Sequence, residues 1–216
     1  MIVCPNPIID LFRDLFRAVL YLLGWINGYN FFPDNASSIA IFGSKGSGKT
    51  TLWQQLQGKF KDADYHPTLG AEGVNQFSIE YKGNRKTISE SKDFGGGDNL
   101  VKYYGEIIKE GTFVYYLIDL TALEENKRET RARLQALGNV FKQKQLKDKV
   151  GIRIVGTNWG KYSKQNPKKT HSDAKYELAN IIGFKDIKDV KVEESIIVAE
   201  LTDKNDINQF YEQIIK

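Results

Sequence analysis

Eight consecutive residues constrain this chain more than any others: Gly43-Ser44-Lys45-Gly46-Ser47-Gly48-Lys49-Thr50. They satisfy G-x-x-x-x-G-K-[ST], the pattern of a phosphate-binding loop. Their neighbours supply the context that pattern needs. Ser38-Ile39-Ala40-Ile41-Phe42 is a short apolar run that reads as a buried strand, and Leu52, Trp53 and Leu56 are spaced for one face of a helix. Gly46 and Gly48 let the backbone curl so that several N–H groups point at one anion. The helix opening at Lys49 adds the positive end of its dipole. The candidate phosphate-binding residues are Lys45, Gly46, Ser47, Gly48, Lys49, Thr50 and Thr51. Lys49 is expected to reach the β- and γ-phosphates and the Thr50 hydroxyl to hold Mg²⁺. A plain glycine-rich turn is the competing reading, and the agreement of motif with context argues against it.

The totals set the outer bounds. A length of 216 residues suits one α/β domain plus an appendage. A net charge of +4 is too small to argue for a nucleic-acid partner, and none is expected. One cysteine, Cys4, leaves no partner for an internal disulfide and fits a reducing, cytoplasmic setting. No basic residue precedes the first apolar ones as a signal peptide would require, and the chain carries neither a C-terminal prenylation box nor a glycine at position 2.

Residues 1–34 read as an amphipathic helix and linker, and residues 35–216 as the phosphate-loop domain. Ile8, Leu11, Phe12, Leu15, Phe16, Val19, Leu22, Leu23 and Ile26 recur at three- and four-residue steps, with Asp10, Arg13, Asp14 and Arg17 on the opposite side. The charges interrupt the apolar run, so the roughly 18 apolar residues of a spanning helix are missing. Residues 7–32 therefore have three open readings: lying on a membrane surface, packing on the chain's own domain, or filling a partner protein's groove. The polar face is neutral overall rather than basic, which weakens attraction to anionic lipid. Cys4 is either an acylation site beside this helix or a plain thiol.

Further on, residues 58–70 read as a long polar loop containing Pro67. Residues 74–81 and 86–94 read as two strands of an antiparallel hairpin turning at Gly83-Asn84. Residues 112–119 form a near-continuous apolar run, as a strand buried on both faces should. A charged segment from Glu124 carries Leu134, Leu137 and Phe141 on one helical face. Residues 150–155 and 195–199 read as two more buried strands. Residues 161–171 carry Lys161, Lys164, Lys168, Lys169 and Pro167 and read as a solvated basic loop, with a partner or phosphate patch as the alternative. Ile207, Phe210, Tyr211 and Ile214 give a last helix its core face. Strands alternating with helices predict a mainly parallel sheet with ligand sites at the strands' carboxyl ends.

Residues 38–216 resemble the small GTPases, most closely the Arf/Sar branch. Pro67-Thr68-Leu69-Gly70 resembles the first switch of that branch, and Asp93-Phe94-Gly95-Gly96 its D-x-G-G second switch. The leading amphipathic helix is similar too, and the beta subunit of the signal-recognition-particle receptor is a relative with the same layout. The resemblance implies a Ras-like α/β fold: a mostly parallel six-stranded sheet with one antiparallel strand. It implies Mg²⁺ and GTP/GDP as ligands, activating and exchange proteins as partners, and peripheral membrane association. Thr68 would add its hydroxyl to the metal only with a γ-phosphate present, Asp93 would hold a metal-bound water, and Gly96 would present its N–H to the γ-phosphate. The competing roles are a turn or cap hydroxyl for Thr68 and a strand-end turn carboxylate for Asp93.

Three departures from the family pattern stand out. Gly97 follows D-x-G-G where the family places a glutamine or histidine to orient the attacking water, so no catalytic side chain is assigned beyond Lys49 and Thr68. Lys45 occupies a loop position where the family has glycine or an acid; it either approaches the γ-phosphate or points to solvent. The guanine-reading [NT]-K-x-D motif aligns with Thr157-Asn158-Trp159-Gly160, so its aspartate is replaced by Gly160. Asp173 lies too far along to substitute obviously. Asn158, Trp159 and Ala199 remain as candidate base contacts, Trp159 by stacking or else as packed core, and Ala199 through its backbone N–H. These features imply either a switch protein with slow or partner-dependent hydrolysis, or a non-hydrolysing scaffold that keeps a bound nucleotide.

Overall fold

The computed structural model describes residues 38–60, 70–95, 103–146, 150–182 and 196–215. The expected helix at residues 7–32 and its linker lie outside the described residues, as do Thr68, Gly96 and Gly97.

The centre is a four-stranded parallel sheet in the order β1-β6-β7-β8, built from β1 (Ser38–Gly43), β6 (Thr112–Asp119), β7 (Gly151–Thr157) and β8 (Ile196–Val198). Every residue of β1 is buried, and so is every residue of β6 except its last. That burial explains why both strands read as near-continuous apolar runs, with Ser38 and Thr112 the buried polar residues at their starts: a parallel sheet covered on both faces leaves few positions for a polar side chain. Successive side chains alternate between the two faces. Ala40, Phe42, Val114, Tyr116 and Ile118 join one core with Tyr104, Leu137 and Leu178. On the other face, the Tyr115 ring meets the Phe210 ring edge-on at 5.3 Å. The chain is thus an α/β fold with helices on both faces of a parallel sheet.

The helices are α1 (Lys49–Leu56), α2 (Tyr104–Ile107), α3 (Lys127–Gln143), α4 (Trp159–Gln165), α5 (His171–Ile182) and α6 (Lys204–Ile215). α3 carries the predicted face, with Leu137 buried and Leu134 and Phe141 packed against the core. α6 buries Ile207, Phe210 and Ile214, while the half-buried Tyr211 donates its hydroxyl to Gln55 O on α1 at 2.7 Å.

Two expectations need correction. Residues 161–171 are not a loop: α4 covers their first half and α5 begins at His171. Seven residues are too few to show a helical period, and lysines on the solvent side of α4 hid the inward Tyr162, which is buried. Thr170 and Asp173 form a reciprocal cap for α5, with Thr170 N donating to Asp173 Oδ2 at 2.7 Å and Asp173 N to Thr170 Oγ1 at 3.3 Å. Asp173 therefore has a local structural task.

The hairpin, the second correction, turns at Lys82-Gly83 rather than at Gly83-Asn84. Both turn residues have positive φ, 50° and 79°, as a two-residue turn matched to strand twist requires. The hairpin comprises two ladders, β2 (Ala71–Val74) with β5 (Ser91–Phe94) and β3 (Phe77–Tyr81) with β4 (Asn84–Ile88). They share one register: Val74 faces Ser91 and Phe77 faces Ile88, with two residues intervening on each side. Gly95 N donates to Gly70 O at 2.6 Å and closes the base. The hairpin adjoins β1 through Ser91 Oγ, which donates to Ile39 O at 2.9 Å. Its tip is fastened to α6, where Lys82 Nζ and Tyr81 Oη both donate to Glu212 Oε1.

Candidate functional site

The phosphate loop leaves β1 at Gly43 and enters α1 at Lys49. Gly46 and Gly48 take φ values of 78° and 86°, the left-handed region that the motif's glycines are there to reach. Ser44 O gathers the loop around itself. It accepts from Ser47 Oγ at 2.8 Å, from Lys49 Nζ at 2.7 Å and from Ser47 N at 3.3 Å. Lys45 is exposed, whereas Ser47 and Lys49 are buried. Burial is the main reason that the Lys49 ammonium is held down at about 8 instead of 10.5; nearby Arg133 lowers it further, while Asp93 and Glu129 pull the other way.

Thr50 and Asp93 meet although 43 positions separate them. Thr50 Oγ1 donates to Asp93 Oδ2 at 2.7 Å, because β5 runs beside β1 and delivers its third residue to the start of α1. Asp93 is buried. A hydroxyl and a carboxylate side by side beneath a phosphate loop are the oxygen donors Mg²⁺ favours, with the remaining positions left to phosphates and water. The residues present therefore fit the ion.

Nothing in the residue pattern singles out Arg133. It projects from α3 under the loop, its guanidinium donating to Gly43 O at 3.2 Å and pairing with Glu129 Oε1 at 2.6 Å. Its side chain is only 5% exposed. In sequence Glu129 and Arg133 are one i, i+4 pair among many, and such surface pairs contribute about 0.3–0.5 kcal/mol. Burial changes the class. Glu129→Ala removes the carboxylate that neutralises a buried guanidinium, which costs about 3–5 kcal/mol. With Glu129 itself 37% exposed, the lower end of that range is expected. Urea unfolding of the nucleotide-free variant measures it, and a loss in the surface-pair range would return the pair to that class.

The expected base-side residues gather at the ends of β7 and β8. Thr157, fully buried, donates its hydroxyl to Ser47 O of the phosphate loop at 3.0 Å. Asn158 takes the left-handed conformation, φ 59° and ψ 36°, and starts α4. The Trp159 ring packs against the core and lies 4.2 Å from His171 and 5.8 Å from Tyr162, centroid to centroid. Ala199 N donates to Gly156 O at 2.9 Å. Leu201 reaches over the phosphate loop so closely that a Cβ on Gly48 would lie 2.6 Å from its Cδ1. Gly160 N donates to Glu200 Oε2 at 2.9 Å. Among the described residues no helix is long and apolar enough to cross a membrane, and no three His, Cys, Asp or Glu side chains group as a metal site. No protein-family model matches the chain.

Proposed function

We propose that the protein is a Mg²⁺-dependent guanine-nucleotide-binding switch of the small-GTPase kind, similar to the Arf/Sar branch, with slow or partner-dependent hydrolysis. On this reading the β2–β5 hairpin extends the parallel sheet to the six-stranded Ras-like arrangement with one antiparallel strand. The observation that carries the proposal is the convergence of Lys49, Thr50 and Asp93 at the carboxyl end of β1, with Thr50 Oγ1 2.7 Å from Asp93 Oδ2. A site at that end of a parallel sheet is where α/β folds bind ligands. Lys49 binds phosphate oxygens and the curled loop offers backbone N–H groups to the same anion. Thr50 and Asp93 orient and hold the metal's ligand sphere. Mg²⁺, when bound, neutralises phosphate charge. Thr68 and Gly96, by the family pattern, answer to the γ-phosphate, and residues 7–32 transmit the change to a membrane surface or an effector protein. Activating and exchange proteins would set its cycle, at the cytoplasmic side of a membrane.

Calorimetric titration of nucleotide-free protein with GDP, GTP, ADP and ATP, with and without Mg²⁺, tests this. Guanine binding that Mg²⁺ strengthens and that Asp93→Asn makes indifferent to Mg²⁺ is the expected result. Absence of binding to all four nucleotides would sink it. Liposome flotation with GDP against a non-hydrolysable GTP analogue tests the membrane link, and equal binding in both states refutes it.

A second reading has its own support. Gly97 stands where a water-orienting side chain belongs, so a module that holds nucleotide without turning it over is the alternative. Single-turnover hydrolysis at the uncatalysed rate, with partners absent and present, selects it.

A further inference from the structure

We infer that Glu200 supplies the base-reading carboxylate of this site, from the β8 side, in place of a side chain at position 160. The inference rests on the nucleotide reading above and names the base that the site selects: a purine with a 6-oxo group and a 2-amino group. Gly160 has no side chain, and the space where one would stand is taken. A Cβ built at Gly160 would lie 3.0 Å from Glu200 Oε2. The Glu200 carboxylate is held there from both ends: Gly160 N donates to Oε2 at 2.9 Å and Thr202 Oγ1 to Oε1 at 3.1 Å. The backbone beneath it is also fixed. Glu200 N donates to Asp206 Oδ2 at 2.7 Å, and Ala199 N to Gly156 O at 2.9 Å.

Both loops that frame this carboxylate are tied to the phosphate loop. Thr157 Oγ1 bonds Ser47 O, and Leu201 covers Gly48 while its carbonyl accepts from Gln55 Nε2 of α1 at 2.8 Å. The carboxylate therefore stands at a fixed offset from the phosphate cradle. Each of its oxygens has one protein donor and a second lone pair to offer. Guanine presents N1–H and an exocyclic N2–H side by side, a pair of donors that matches two carboxylate oxygens. Adenine presents an unprotonated N1 and a C–H on the same edge, which a carboxylate repels. The reader has moved from α4 to the turn after β8 while the charge stays beside position 160.

The test is calorimetric titration of the full chain with GDP, XDP and ADP in Mg²⁺, for the wild type, Glu200→Ala, the near-isosteric Glu200→Gln, and Lys49→Ala. A hydrogen bond to a charged group sets the scale, so Glu200→Ala should lose GDP affinity by roughly 10- to 150-fold, while ADP affinity holds or rises as the repulsion is removed. Glu200→Gln should shift preference toward XDP, because an amide can accept from xanthine N1–H and donate to its O2. Equal losses for GDP and ADP, or a GDP preference that survives in both Glu200 variants, overturn the inference. So does wild-type binding that Lys49→Ala abolishes but that shows no base preference, and this leaves the phosphate-binding site standing while removing its guanine selectivity. No binding of any nucleotide by the wild type overturns both.

Discussion

Lys49→Met is expected to lose nucleotide affinity by roughly 10- to 150-fold, since one hydrogen bond to a charged group contributes about 1.5–3 kcal/mol, and to make the nucleotide-free protein more stable. The second half follows from the lysine's surroundings. Its ammonium is buried against Ser44 O, and desolvation, helped by Arg133, lowers its pKa from 10.5 to about 8. For a base whose folded pKa is depressed, the unfolded chain holds the proton more tightly. Stability therefore rises with pH between about 8 and 10.5, and below about 8 the cost of the buried charge is present in full. A shift of this size corresponds to roughly 3 kcal/mol, which sets the upper limit of what methionine, flexible and of similar length, can recover. Thermal unfolding of both proteins across that pH range checks the sign. The gap between them should be widest near neutrality and narrow as pH rises past about 8. A bound phosphate restores the ammonium, so binding above that pH takes up a proton and weakens as pH increases. A methionine variant that is less stable than wild type at neutral pH would show that the lysine's bond to Ser44 O outweighs its desolvation.

Gly43→Ala is expected to be the most damaging of the glycine changes in the loop. Gly43 pairs with Leu117 in the β1–β6 register and has φ 148°. A Cβ there would lie 2.2 Å from Leu117 O and 2.6 Å from Ser47 Oγ. Leu117 is wholly buried, so its carbonyl cannot step aside without moving β6. Overpacking typically costs about 1–3 kcal/mol and a strained backbone conformation of order 1–3 more, so a loss of roughly 3 kcal/mol is expected. Gly46→Ala is the informative comparison. Gly46 has φ 78° and nothing within 4 Å of its would-be Cβ, so only the left-handed penalty of roughly 1–2 kcal/mol applies. Urea unfolding of the two variants should rank them in that order. Equal losses would mean that backbone conformation alone, and not the close approach of β1 to β6, demands glycine at 43.

The local elements that announced themselves in sequence did so for one reason: their side chains have a single environment along their whole length. β1 and β6 are apolar between their ends because both faces are covered, and α6 shows a clean apolar stripe because one face is, whereas α3 sets Thr130 and Arg133 beside Leu137 on its buried side. The glycines at 46 and 48 were legible because the loop's backbone conformation requires them wherever it occurs. Short elements were not legible. α4 spans two turns, too few for a period, and its lysines suggested a loop. The hairpin turn shifted by one residue because Lys82 accepts a positive φ, with its ammonium paired to Glu212 on α6, a partner 130 positions away.

The sequence by itself determined the phosphate loop, the parallel α/β arrangement around it, and Thr50 as a metal-binding candidate, because each is a local pattern of residue type and spacing; Asp93 entered only through the resemblance of Asp93-Phe94-Gly95-Gly96 to a second switch. Only the tertiary structure decided that Thr50 and Asp93 touch, that Arg133 is buried beneath Gly43 with Glu129 beside it, and that Glu200 stands where position 160 has no side chain. Each of those is a meeting across turns or strands. Burial and proximity are properties of the packed chain, and a charged residue carries no mark in sequence that says whether its neighbour in space is water or another strand.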